Sequence, residues 1–161
     1  MVPSMTSTAT TIDYFAGDDD KTIITVIPCG AGKADTPCAA RGLYTGSSFR
    51  LALAAAEANG DTVLILSALH GVVTPDTVLA PYDLKMGDPG SITVEMLADQ
   101  LADIGLADLT FADAEIFAYL PAAYFARFDA ACRILGHYPA DVYEAAPGIG
   151  YQRGVCARVA A

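Results

Sequence analysis

Two stretches of this 161-residue chain gather residue types that do chemistry. The longer is "ILSALHGVVTPDTVLAPYDLKM", residues 65–86, which brings Ser67, His70, Tyr82, Asp83 and Lys85 into a segment punctuated by Gly71, Pro75 and Pro81. A neutral imidazole such as His70 exchanges protons near neutral pH. A carboxylate such as Asp83 stabilises the positive character that builds when an N-glycosidic bond breaks. The shorter stretch is "IPCGAGK", residues 27–33, in which Lys33 offers a point charge to a phosphate or a base carbonyl. Each has an ordinary alternative: Lys33 as a solvated loop lysine, His70 as a residue bonded to its own turn, Asp83 as a turn cap. Tyr44 and Tyr82 read equally as base-stacking rings or as core aromatics whose hydroxyls reach a partner.

Stepping outward, the elements that position these residues alternate between strand and helix. "TIITVIP" (22–28) and "TVLILSA" (62–68) are continuous apolar runs, as in strands covered on both faces, and "SSFRLALAAAEANG" (47–60) between them reads as a Ser-capped helix with an Asn-Gly stop. Beyond the long segment, 91–105 reads as a helix with Ser91 as cap and Gly105 as stop. A third strand is expected at "ADLTF" (107–111), a helix at 120–136, a weaker strand at "DVYEA" (141–145) and a final helix after "PGIG". The fold expected is a three-layer α/β domain with a mainly parallel sheet of about four strands and flanking helices. Residues 22–161 form one domain in this reading, and 1–21, rich in Ser and Thr and ending in "GDDDK", form a tail or edge segment.

In an open parallel sheet, ligands sit beyond the carboxyl ends of the strands, where the following loops and helix N-termini converge. That rule groups Lys33, Ser67, His70, Asp113, Gly148, Gly150 and Gln152 around one pocket, with residues 68–86 as its wall. Asp83, His70 and Asp113 are the catalytic candidates. Lys33, Tyr44, Ser67, Tyr82, Gly148, Gly150 and Gln152 are the binding candidates, with Gln152 suited to a base edge and the glycines of "GIGYQRG" suited to an anion. Cys29 reads as a small buried hydrophobe.

Several classes are disfavoured. "GAGK" lacks the first glycine of a P-loop and is followed by Ala34 where a magnesium-holding Ser or Thr is needed. Cys29, Cys38, Cys132 and Cys156 form no C-x-x-C pair and have no histidine at zinc spacing, so neither a metal nor a cofactor is expected. Nineteen acidic against nine basic residues give a net charge of −10, which opposes clamping of duplex nucleic acid but not capture of one nucleotide. No apolar run is long enough to span a membrane. The opening residues lack the charged and apolar regions of a secretory signal, and a cytoplasmic protein with reduced thiols is expected.

The order "IPCGAGK", "LYTGSSF", "LSALHGVVTPDTVLAPYDLKMGD" resembles the YaaA peroxide-stress protein family, and more closely its compact relatives in phages and bacteria that also end in a "GIGxQ" helix start. The resemblance covers residues 23–88 and 147–153. It implies nucleic-acid or nucleotide binding in a cleft similar to that of DNA glycosylases. It carries site roles onto Lys33, Tyr44, Ser67, His70, Tyr82 and Asp83. The function expected is a nucleobase- or nucleotide-binding domain, with N-glycosidic chemistry on a nucleotide or a modified base as its enzymatic form. The alternative is a non-catalytic stress or phage protein that binds a nucleotide or single-stranded nucleic acid. The chain departs from YaaA in being shorter and strongly acidic.

Overall fold

A computed structural model of the chain describes residues 21–109, 113–144 and 149–160, the side chains of 149–151 excepted. The centre is β1 (Thr22–Pro28), whose first six residues are buried. It pairs in parallel with β3 (Thr62–Ser67) on one side and with β6 (Ala114–Ala118) on the other, and β6 pairs in parallel with β7 (Ala140–Asp141). The strand β4 (Gly71–Val73) turns back antiparallel along β3, giving the order β4-β3-β1-β6-β7. A two-stranded ribbon of β2 (Cys38–Ala39) and β5 (Val78–Leu79) sits apart from this sheet.

Helices cover both faces, which is why β1 and β3 are apolar without alternation. Ile24, Val26, Leu64 and Leu66 pack in one core with Leu97 and Leu101 of α3 (Val94–Asp103) and Phe128 of α4 (Ala122–Ile134). Ile27 and Ile65 pack in the other with Phe49 and Ala56 of α2 (Ser47–Asn59) and Cys156 of α5 (Ile149–Ala160). The short helix α1 (Ala40–Leu43) joins the second core through Ala40 and Leu43. The chain is therefore a three-layer α/β domain with a mostly parallel sheet, and helices near 47–60, 91–105 and 120–136 stand where expected.

Four local expectations need correction. Of the strand expected at 107–111, residues 107–108 are instead part of a 3₁₀ turn at Leu106–Asp108, because Gly105 at φ 103° ends α3 and folds the chain sharply, and residues 110–111 lie outside the described residues. The third parallel strand lies further on, at "AEIFA", where Ala114, Ile116 and Ala118 are buried and Glu115 is exposed. Of the strand expected at 141–145, Asp141 alone among the described residues pairs, since its carboxylate accepts from the Tyr143 N–H at 3.0 Å and turns the chain away, and residue 145 lies outside the described residues. The cap of α3 is Thr93, which accepts from the Met96 N–H, while Ser91 accepts from the Gly87 N–H in the preceding loop. The cap of α2 is Gly46, and Ser47 is its first helical residue. Residues 1–20 of the expected tail lie outside the described residues.

Candidate functional site

The chain leaves β3 through Ser67, which is fully buried at the strand's carboxyl end. Its Oγ accepts from the Leu69 N–H at 3.2 Å and the His70 N–H at 3.0 Å, tying off the turn into β4. A hydroxyl has two acceptor positions and one proton, so the Ser67 proton points to its third partner, the Tyr82 hydroxyl 2.6 Å away. Tyr82 in turn shares a 2.6 Å hydrogen bond with the Tyr44 hydroxyl. Burial raises the pKa of both phenols, so the chain of hydroxyls stays protonated.

The turn after Ser67 is held from outside as well. Gly71 has φ 78°, and a Cβ there would run into the Gln100 side chain from α3. Gln100 donates to the His70 carbonyl at 2.8 Å and accepts from the Val72 N–H at 3.0 Å, gripping the backbone on either side of that glycine. This places the His70 ring edge-on to the Tyr82 ring, with centroids 5.3 Å apart. On the other side Lys33 holds its own turn by donating to the Gly30 and Ala31 carbonyls at 3.0 and 3.3 Å, and its ammonium lies 4.5 Å from the Tyr82 ring centre. Tyr44 pairs with Lys33 as an isolated antiparallel bridge and packs on Phe49 at 5.1 Å.

Beyond β1 the cluster adjoins a cleft of about 150 Å³ between the carboxyl ends of β1 and β6. Cys29, Gly30, Phe49, Tyr124, Gln152 and Arg153 are among its walls. The chain runs from β1 outward to β3 and returns across it to β6, so this is the switch point of the sheet. Ser48 near the start of α2 and Pro121 at the start of α4 also line it, and neither helix has a side-chain cap or an acidic residue in its first turn. The first-turn N–H groups there favour negative charge. Cys29 Sγ and the Tyr124 hydroxyl share a 3.4 Å hydrogen bond, and burial raises the Tyr124 pKa, with the bond to Cys29 adding to it.

A family model described as "Family of unknown function (DUF6884)" matches residues 24–137, well over half of the chain. The chain belongs to this DUF6884 family. No curated protein matches it. The family span takes in Cys29, Lys33, Tyr44, Ser67, His70, Tyr82, Gln100 and Tyr124, and ends before Gln152 and Arg153.

Of the residues singled out in the sequence, Lys33, Tyr44, Ser67, His70 and Tyr82 meet in one cluster, and Gln152 lines the cleft next to it. Gly150 lies in the first turn of α5, and Gly148 falls outside the described residues. Asp83 does not join them: in the extended segment after Pro81, Tyr82 turns inward and Asp83 outward into solvent. Asp113 is at the opposite end of the sheet, directly before β6, where its carbonyl accepts from the Thr22 N–H at 2.9 Å. Misplacing the third strand carried Asp113 to the wrong edge. Tyr44 is only 1% exposed, so its ring face is closed to stacking and its hydroxyl is held by Tyr82.

Cys29, expected as a small buried hydrophobe, is half-buried on the cleft wall, and Tyr124, Gln100 and Arg153 were not among the expected site residues. Tyr124 is three residues into "PAAY", the first turn after β6. The carboxyl-end rule finds it once that strand is set at 114–118. Among the described residues no group of three or more His, Cys, Asp or Glu side chains is placed to hold a metal ion, and no helix is long and apolar enough to cross a membrane.

Proposed function

We propose that this cleft captures a nucleobase or nucleotide in a cytoplasmic protein. The observation that carries the reading is the cleft at the switch point, where two uncapped helix starts and Arg153 provide for an anion in a chain of net charge −10. Phosphate belongs at the helix starts and Arg153, and the base belongs against Gln152, Cys29 and the tyrosine hydroxyls. The resemblance to YaaA proteins and four free cysteines agree with it. The acidic surface favours a mononucleotide over a polymer.

The position of the carboxylates favours capture over hydrolysis. N-glycosidic cleavage calls on an acid near the sugar, and neither Asp83 nor Asp113 is on the cleft wall. Calorimetric titration with nucleoside 5′-monophosphates tests binding, and chromatography of the same mixtures for free base tests turnover. Saturable binding that weakens on Arg153→Ala, without released base, is expected. Absence of binding by every nucleotide overturns the reading, and released base moves the protein to the N-glycosidases.

A further inference from the structure

The chain enters its sheet at an apolar opening. The Thr22 N–H at the start of β1 donates to the Asp113 carbonyl at 2.9 Å, and Thr22 itself lines a cleft of about 280 Å³ on the α3 and α4 face of the sheet. Ile24, Leu64 and Ile116 of the strands, Leu101 of α3 and Phe128 of α4 are among its walls, and none of the described residues lining it is charged. This cleft is held open by structure. His137, 1% exposed, sets Nε2 at 3.0 Å from both the Leu106 and the Leu109 carbonyl, which fixes the 3₁₀ turn in the cleft wall. Apolar surface continues past the rim. Ile104 lines the cleft yet is 57% exposed, and Tyr138, 55% exposed, lines an adjoining crevice that shares Ile116. Apolar surface gathered at one edge marks a face that something covers.

Where the chain outside the described residues joins them says what that is. Residues 1–20 meet the described chain at this opening, one residue before Thr22. Their large apolar side chains gather at Ile12, Tyr14 and Phe15, and only the six residues Ala16 to Lys21 separate these from β1. Six residues extend to about 20 Å, enough to bring Phe15 back onto a cleft that Thr22 already lines. A tether so short supplies its occupant at about millimolar effective concentration, which a second copy matches only in concentrated solution.

We propose that residues 12–15 dock in the amino-edge cleft of their own chain, with Tyr14 and Phe15 as anchors. Removing an aromatic ring from water into an apolar cleft is favourable in proportion to the area covered. Asp13 and the three aspartates of "GDDDK" stay in water. The contact closes the amino edge and leaves the carboxyl edge open to a ligand.

The experiment is nuclear Overhauser spectroscopy of the full chain with labelled Ile and Leu methyls, together with the fluorescence of anilinonaphthalene sulfonate, a dye that lights up on exposed apolar surface. Cross-peaks from the Tyr14 and Phe15 rings to methyls of Ile104, Leu106 and Ile116 are expected, unchanged on dilution. Replacing both anchors, Tyr14→Ser with Phe15→Ser, is expected to remove the cross-peaks, move those methyl resonances and raise dye fluorescence several-fold. Methyls of Ile27 and Ile65, in the other core, stay in place and show that the fold stands. Met5→Ser, in the same segment but outside the docking residues, is expected to change none of these readouts. Absence of cross-peaks in the wild-type chain, with Ile104 and Leu106 methyls alike in wild type and variant, overturns the proposal. Cross-peaks that vanish on dilution assign the cleft to a second copy and overturn it as well.

Discussion

The two edges of one sheet hold clefts that are both walled mainly by apolar groups but differ in the polar groups set among them. At the amino ends of β1, β3 and β6 is the larger, about 280 Å³, walled by Ile24, Leu64, Leu101, Leu106, Ile116 and Phe128 among others. At the carboxyl ends is the smaller, about 150 Å³, where Phe49, Ala52 and Pro121 share the wall with a thiol, phenols, an amide and a guanidinium. The same strands end in both, so the strands themselves do not account for the difference. Parallel strands send the loops and helix starts that follow them to one edge, and those segments carry the glycines, hydroxyls and free N–H groups. At the other edge, the apolar side chains of the sheet, α3 and α4 continue the core outward. Size is therefore a poor guide to chemistry here, and edge a good one.

The comparison breaks first if the carboxyl-edge cluster is not held as tightly as its bonds imply. Tyr82→Ala removes a half-buried ring and both 2.6 Å hydroxyl bonds, and is expected to destabilise by about 2–4 kcal/mol in urea unfolding, with loss of ligand binding. Tyr82 thus supports the fold as well as the site, against the simpler expectation that site residues leave stability unchanged. Gly71→Ala is expected to cost about 2–3 kcal/mol, from the left-handed backbone and the collision with Gln100. Gln100→Ala removes two hydrogen bonds without that strain and is expected to cost about 1–2 kcal/mol, with faster amide exchange at Val72.

A pH series sharpens the same contrast. Burial holds the phenols of Tyr44, Tyr82, Tyr124 and Tyr143 above their ordinary 10.0, so the folded chain binds these protons more tightly than the unfolded one. Their contribution to stability is complete below pH 10 and falls as the pH rises above it. Urea unfolding between about pH 9 and pH 11 is expected to show this decline, with native tyrosinate absorbance lagging that of the unfolded chain. The smallest effect belongs to the exposed carboxylate. Asp83→Ala is expected to change stability by less than about 0.5 kcal/mol and to leave nucleotide binding unchanged.

The sequence made legible what depends on uninterrupted patterns. Two β-branched runs marked β1 and β3, and residues directly beyond them, Lys33, Ser67 and His70, fell into place with Tyr44 and Tyr82. "AEIFA" was missed because Glu115 interrupts its apolar run and only its alternation marks it as a strand. With it went the positions of Asp113 and Tyr124. The hairpin from Ser67 into β4 was hidden because Gln100, which holds it, is about thirty residues away in sequence and on a helix face. Cys29 has the composition of a core residue, and only the cleft beside it gives its thiol a role.

The central claim, that ligand capture belongs to the carboxyl edge, is tested most directly by following backbone amide resonances while UMP is added. The account predicts saturable shifts at Cys29 to Lys33, at Ala122 to Tyr124 and in the first turn of α5, with Thr22, Leu101 and Leu106 at the amino edge unmoved. Shifts gathered at the amino edge, or none at saturating nucleotide, would contradict it.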